Sequence, residues 1–155
     1  MGNQMAAREG SARWSGEVLT GSGELTVGED AWTSGYSGAS RLHGVLPGVE
    51  AGAGTNPEEL LAAAHAACFN MGLSFELTEA GHAALRLVQT RARVHLRFID
   101  GAPTIQQIDL DTEADVPGLD QTALQQLAER AKASCIISRA LGGVPQINVV
   151  AALSK

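Results

Sequence analysis

Hydrophobic and polar positions alternate along several parts of the chain with the period of two that is typical of β-strands. Two short strands are predicted within residues 12–27. Residues 85–99 and 104–116 alternate in the same way, and a connection over residues 100–103 separates them, so we expect a long antiparallel hairpin. A β-branched run over residues 146–153 predicts a last strand.

Two other segments carry apolar residues at helical spacing. The first begins at residues 56–59, where a capping residue, a proline and two acids favour a helix N-terminus, and it ends near Ala80 before Gly81. This helix is apolar almost all round, which predicts burial at the centre of the molecule. A second helix is predicted over residues 119–141, and the glycine-rich residues 28–55 are expected to be irregular.

The order of these elements is strands, long helix, hairpin, helix and strand, which predicts an α+β domain with sheet and helices packed in layers. At 155 residues with 45% hydrophobic content, one domain is expected over residues 11–155, preceded by a flexible segment over residues 1–10. That segment has no apolar run of the kind found in signal peptides, so the predicted compartment is the cytoplasm.

Charge and composition narrow the classes of partner. The net charge is −6, and the basic residues between Arg86 and Arg97 alternate with apolar ones as on a solvated strand face, so no nucleic-acid partner is expected. The apolar residues 60–77 are interrupted by a histidine, an asparagine, a serine and a glutamate, which makes a membrane span unfavourable. Two cysteines and four histidines lack paired metal-ligand spacing, so neither a metal nor another cofactor is predicted.

The two cysteines each lie on the apolar stripe of a predicted helix. The stripe of the first helix is expected to comprise Leu61, Ala64, Cys68, Met71 and Phe75. The stripe of the second is expected to comprise Leu124, Leu127, Ala131, Cys135 and Ser138. Inert packing is one interpretation of such thiols. The other is a pair in which one thiol is a nucleophile and the other resolves it, if their helices pack together.

Nucleophilic chemistry requires a cation beside the buried thiol. His65 lies one turn before Cys68, although a hydrogen-bonded core histidine is its plainer interpretation. Arg41 is the better candidate because arginine stays charged, and Glu58 is a carboxylate able to orient it. Ten helical residues separate Glu58 from Cys68 by ~15 Å. One arginine does not easily reach both, so we expect a symmetric homodimer with a shared site.

Two motifs resemble the OsmC/Ohr family, which comprises osmotically inducible protein C and the organic hydroperoxide resistance proteins. Residues 54–69, GTNPEELLAAAHAACF, resemble its signature, and the histidine at 65 is similar to the OsmC branch. Residues 131–135, AKASC, resemble its second cysteine motif, and the resemblance extends from about residue 10 onward. The chain departs from the family in having Ile136 where a proline commonly follows the second cysteine, and about five extra residues between Arg41 and the signature.

The resemblance implies an α+β fold with antiparallel sheets, a long central buried helix and a second helix, in an intertwined homodimer with sites at the subunit interface. It also implies a thiol-dependent peroxidase that reduces organic hydroperoxides, and H2O2 to an extent that differs by branch. An external thiol or dithiol would reset the enzyme.

Residue by residue, Cys68 resembles the peroxidatic cysteine and Cys135 the resolving one. Glu58 resembles the carboxylate that pairs with the catalytic arginine. Arg41 is the best match for that arginine, and Arg13 is the alternative. A non-catalytic redox-sensing or apolar ligand-binding module on the same fold is the competing interpretation.

Overall fold

The computed structural model describes residues 7–29 and 31–154, so residues 1–6 of the predicted flexible segment lie outside the described residues, as do Asp30 and Lys155. The chain divides into two compact units, Met1–Glu58 and Glu59–Lys155. The single domain expected over residues 11–155 stays a prediction.

The first unit contains a three-stranded antiparallel sheet and a short helix. Strands β1 (Gly10–Ser15), β2 (Ser22–Val27) and β3 (Trp32–Ser37) follow one another in the sheet, and helix α1 (Gly38–Leu42) comes directly after β3. The two predicted strands within residues 12–27 correspond to β1 and β2. The expectation that residues 28–55 are irregular was wrong for β3 and α1. Serine, threonine and glycine separate the aromatic residues of β3, so its pairing with β2, and not an apolar alternation, defines the strand.

A long antiparallel hairpin forms the centre of the second sheet, as predicted. Strands β4 (Leu87–Ile99) and β5 (Ala102–Asp115) pair along their whole length. Asp100 and Gly101 both have positive φ, 50° and 79°, which is the conformation of a tight two-residue hairpin turn. The connection is therefore shorter than expected, because Pro103 already lies within β5.

Strand β6 (Gln146–Leu153) occupies the predicted position but pairs with β5 in parallel. The sheet, of order β4-β5-β6, is thus mixed, and the expectation of antiparallel sheets was wrong for this strand. A parallel pair requires a crossover, which helices α3 (Gln121–Ser134) and α4 (Ile136–Ala140) supply. The single helix expected over residues 119–141 is therefore two helices, and the chain breaks between them at Cys135.

Helix α2 (Pro57–Glu79) has the predicted bounds and ends before Gly81, whose φ is +89°. Its buried residues are His65, Phe69, Leu73, Glu76 and Leu77. The apolar ones, Phe69, Leu73 and Leu77, pack with residues of α3 and the second sheet, among them Ile108, Leu110, Leu124 and Val149.

Burial of α2 on all sides, and a core stripe through Leu61, Ala64, Cys68, Met71 and Phe75, were both wrong predictions. Met71 is 74% exposed and Phe75 63% exposed. A helix that is apolar almost all round does not specify which of its faces turns to the core, so packing against the other elements decides it. By contrast, the stripe of the second predicted helix is buried as expected, from Leu124 to Ser138.

By length and composition alone, α2 is also apolar enough to cross a bilayer, a property that it shares with core helices of soluble proteins. His65 and Glu76 are buried on the same face as its core leucines, and such polar side chains are unfavourable in a lipid-facing helix.

Candidate active site

The sulfurs of Cys68 and Cys135 are in contact. Their Sγ atoms lie 3.3 Å apart, and both residues are free cysteines. A disulfide bond is about 2.05 Å long, so the two sulfurs need to approach by only about 1.2 Å to form one. The two cysteines are 67 positions apart in sequence, and their sulfurs lie close together, as expected if their helices pack against each other.

Backbone hydrogen bonds hold Cys135 at the junction of α3 and α4. Its N–H donates to the carbonyl of Ala131 at 2.9 Å, and its own carbonyl accepts from the N–H of Arg139 at 3.0 Å. The residue has φ −57° and ψ 124°, an extended conformation between two helices, and it is 3% exposed. Cys68, on α2, is partly exposed. The resolving-cysteine candidate is thus fixed by the ends of two helices.

A buried hydrogen bond joins α2 to α4 beside the cysteines. The Nε2 atom of His65 lies 2.7 Å from the Oγ atom of Ser138, and His65 is fully buried. Burial lowers the pKa of His65, because a charged imidazole is poorly solvated there, so the ring is neutral near pH 7. His65 is the hydrogen-bonded core histidine that the sequence favoured. The sequence predicted only that Ser138 lies on the apolar stripe of the second helix.

The thiol of Cys135 is easier to ionise than an ordinary cysteine. Burial opposes ionisation, but hydrogen bonding with the Ser138 backbone, the Cys68 thiol, the Ser138 hydroxyl and the Ile137 backbone outweighs it and lowers the pKa of Cys135.

In the first unit, Arg41 binds Glu58 through two nitrogens. Its Nη2 atom donates to Oε1 of Glu58 at 2.8 Å, and its Nε atom donates to the same oxygen at 3.1 Å. Glu58 is largely buried, whereas about half of the Arg41 side chain is exposed. Arg13, the alternative arginine, instead pairs with Glu24 at 3.1 Å, and its side chain is 80% exposed. The carboxylate expected to orient an arginine is therefore bound to Arg41.

Short polar side chains attach α1 to the start of α2 and so place Arg41 beside Glu58. Ser37 caps α1 and exchanges hydrogen bonds with Ser40, which together form a capping box. The Ser40 hydroxyl donates to the carbonyl of Thr55 at 2.8 Å, and the Asn56 amide donates to the carbonyl of Ser40 at 3.0 Å. Sequence reasoning missed Ser37 and Ser40, although serines three positions apart are a recognisable sign of a capped helix start.

Comparison with known proteins places the chain in a family. Residues 50–150 match the family model described as OsmC-like protein. The chain is also 36% identical over 134 residues to Peroxiredoxin OsmC of Escherichia coli, a match that covers 86% of this chain and 89% of that protein. The chain belongs to the OsmC-like family. The resemblance noted in residues 54–69 is thereby confirmed.

Solved structures share the fold of this OsmC-like chain. An organic hydroperoxide resistance protein OsmC from Legionella pneumophila matches with a TM-score of 0.66 and 23% identity, covering 97% of this chain and all of that one. An OsmC-like protein of unknown function from Vibrio cholerae matches with a TM-score of 0.73 and 13% identity, covering 96% and 100%. An α+β structure with two three-stranded sheets and one long helix is thus the OsmC-like fold.

Proposed function

We propose that this OsmC-like chain is a thiol peroxidase that reduces organic hydroperoxides, with Cys68 as peroxidatic and Cys135 as resolving cysteine. The observation that carries the proposal is the 3.3 Å contact between the chain's two cysteine sulfurs, which come from separate helices. The 36% identity to a peroxiredoxin supports the same class of reaction. The Legionella neighbour, an organic hydroperoxide resistance protein, agrees with a peroxide that carries an organic group.

The reaction has three steps. The Cys68 thiolate attacks the distal peroxide oxygen, the O–O bond breaks, and Cys68 becomes a sulfenic acid; the departing alkoxide takes up the proton that the Cys68 thiol lost on ionisation and leaves as the alcohol. Cys135 attacks that sulfur, the S–O bond breaks, and water leaves as the disulfide forms. An external thiol or dithiol then returns two electrons by thiol–disulfide exchange and restores both thiols. Protein sulfur accepts the oxygen and no cofactor takes part.

Arg41 and Glu58 are the proposed partners of the Cys68 thiolate. A guanidinium stays protonated at every relevant pH, so it stabilises a thiolate without exchanging a proton with it. The contact of two Arg41 nitrogens with Glu58 fixes the plane of the guanidinium and leaves Nη1 outside that contact. That orientation suits a group that binds both sulfur and a peroxide oxygen.

The complete site is proposed to form between two copies of the chain. Helix α2 is continuous from Pro57 to Glu79, so Glu58 and Cys68 are separated by about 15 Å along one helix. In a symmetric dimer, the partner subunit's Arg41 can instead lie against Cys68. The exposed side chains of Met71 and Phe75 on α2 provide an apolar surface for such an association. We place the reaction in the cytoplasm, where thiol reductants are available.

A peroxide-consumption assay tests the proposal. The protein is supplied with cumene hydroperoxide or H2O2 in large excess and with a lipoyl-type dithiol as reductant. We expect many turnovers with cumene hydroperoxide. Cys68→Ser should abolish consumption, and Cys135→Ser should complete one round and then stall as Cys68 is over-oxidised. Multiple turnovers by either variant with the dithiol present would refute the assigned roles.

The same assay separates the peroxidase from a redox-sensing module. A sensor is oxidised once and then waits for slow reduction, so it consumes about one equivalent of peroxide per chain. Consumption in stoichiometric excess excludes that alternative. Absence of consumption with both peroxides would favour a sensing or ligand-binding module instead.

A further inference from the structure

We propose that Ser138 is a third side chain of the reaction centre, and that His65 is its positioning residue. In this arrangement His65 directs the Ser138 hydroxyl proton to the sulfur of Cys135, so that Cys135 reacts as a thiolate when it closes the disulfide. The inference rests on the proposed peroxidase function. It assigns a chemical role to a buried hydrogen bond between α2 and α4.

The geometry places the three groups in one line of contacts. His65 Nε2 lies 2.7 Å from Ser138 Oγ. Ser138 is the third residue of α4, whose N-cap is Cys135, so the serine follows the cysteine within the first turn of that helix, and its hydroxyl contributes to lowering the pKa of Cys135. Cys135 Sγ lies 3.3 Å from Cys68 Sγ. Both His65 and Ser138 are buried, so water does not compete with these contacts. A continuous chain of hydrogen-bonding groups therefore runs from a core histidine to the reacting sulfurs.

The second ring nitrogen of His65 indicates which way the protons point. His65 Nδ1 is buried and has no hydrogen-bond partner among the described residues. A neutral imidazole carries its proton on one nitrogen, and an unpaired buried N–H is less favourable than an unpaired acceptor. The proton is therefore on Nε2 and is donated to the Ser138 oxygen. The hydroxyl hydrogen of Ser138 is then directed away from His65 and is available to the Cys135 sulfur.

This orientation favours the form of Cys135 that resolution requires. A hydroxyl that donates to sulfur stabilises the thiolate more than the neutral thiol. The thiolate attacks the Cys68 sulfenic acid, its electron pair makes the S–S bond, and the S–O bond breaks to release hydroxide. The proton that Cys135 has lost converts this hydroxide into water, and Ser138 keeps its own proton throughout.

The test is a thiolate titration that needs no peroxide, so its outcome is independent of whether the protein is a peroxidase. In the Cys68→Ser variant, Cys135 is the sole thiol, and its thiolate absorbs near 240 nm. Absorbance is followed against pH and corrected with the variant that lacks both cysteines. Adding Ser138→Ala should lower the thiolate fraction at pH 7 about tenfold, since a hydrogen bond to a charged group is lost. An unchanged titration would overturn the proposal.

Ser134→Ala is the matched control. Ser134 is also a serine next to Cys135, but its hydroxyl donates to the Ala131 carbonyl at 3.3 Å within its own helix. The control should titrate as the parent does. A loss equal to that of Ser138→Ala would mean that any serine removed near the junction of α3 and α4 has the same effect, and would refute a specific role for Ser138.

His65 is tested by two substitutions in the same background. His65→Leu removes the donor and should give an intermediate loss of thiolate, because the Ser138 hydroxyl is free to rotate. His65→Gln restores a donor N–H and should recover most of the Cys135 thiolate fraction. Equal titrations for the leucine variant and the parent would overturn the positioning role. The thermal midpoint of each variant shows that it is folded, and the glutamine rescue separates positioning from packing.

In the chain with both cysteines, the effect should appear in one step only. With one equivalent of cumene hydroperoxide, Ser138→Ala should oxidise Cys68 at the parent rate but form the disulfide about tenfold more slowly. The sulfenic acid at Cys68 then accumulates and is trapped by dimedone. Disulfide formation at the parent rate would contradict the proposal, while failure of the parent itself to react would contradict only the peroxidase function.

Discussion

The contact between Arg41 and Glu58 depends on the shape of a single side chain. Two guanidinium nitrogens of Arg41 bind the Glu58 carboxylate: Nη2 donates to Oε1 at 2.8 Å, and Nε donates to Oε1 at 3.1 Å and to Oε2 at 3.3 Å. A lysine has one ammonium group, which keeps the charge but not the planar contact. The proposed role of Arg41 therefore depends on geometry as well as on charge.

Arg41→Lys is predicted to slow the first step of the reaction by roughly 10- to 100-fold, because the cation is no longer held in one plane. The rate of Cys68 oxidation by cumene hydroperoxide, followed in a single turnover, measures this step. Arg13→Lys is the control, since Arg13 forms a comparable ion pair with Glu24 elsewhere in the first unit. If Arg13→Lys slows the oxidation of Cys68 and Arg41→Lys does not, Arg13 is the catalytic arginine instead of Arg41.

At the scale of elements, the break between α3 and α4 occurs without a proline. The resemblance of residues 131–135 to the second cysteine motif places Ile136 at the position where a proline was expected. Cys135 has φ −57° and ψ 124°, a conformation suited to the residue before a proline. Ile136 is the first residue of α4, the helical position that proline favours. The backbone of this chain is therefore compatible with a proline at residue 136.

Ile136→Pro is predicted to leave turnover intact and to raise the free energy of unfolding by at most about 1 kcal/mol. The reason is that the native backbone at residue 136 already has the conformation to which proline is restricted. Chemical denaturation measures the change, and the Ile136 side chain is 72% exposed, so little packing is lost. Gln126→Pro, at an exposed position inside α3, should instead cost about 3 kcal/mol or more. Comparable losses in both variants would show that the break at Cys135 does not have this geometry.

At the scale of the whole molecule, two phenylalanines on α2 have opposite environments. Phe69 is fully buried in the core of the second unit, whereas Phe75 is 63% exposed. An exposed phenylalanine gains roughly 1.5–3 kcal/mol when a partner covers it. In a symmetric dimer the same residue is covered twice, so Phe75 and its neighbour Met71 are well placed to contribute to association.

Phe75→Ser is predicted to raise the dissociation constant of the dimer about 100-fold, because two apolar contacts are lost at once. Sedimentation velocity over a range of concentrations measures it, and peroxidase activity should fall together with the dimer fraction. Val150→Ser, which changes an exposed apolar residue on β6, is the control and should leave the dimer intact. A fully active monomer of the unaltered protein would remove the shared site.

The sequence was sufficient for elements that are defined by local patterns. The hairpin of β4 and β5, the bounds of α2 and the position of β6 follow from alternation, capping residues and a terminal glycine, which act within a few residues of the chain. The two cysteine motifs indicated the family for the same reason, since their residues are contiguous.

Tertiary packing decided what local patterns leave open. The buried face of α2, the parallel pairing of β6 and the strand β3 each depend on a neighbouring element that is distant in sequence. The same is true at the site: the contact of Cys68 with Cys135 and the hydrogen bond of His65 with Ser138 join residues 67 and 73 positions apart. The sequence by itself determined which reactive groups the chain has. Only the folded structure determined their neighbours, because sidedness and distance arise when separate elements pack together.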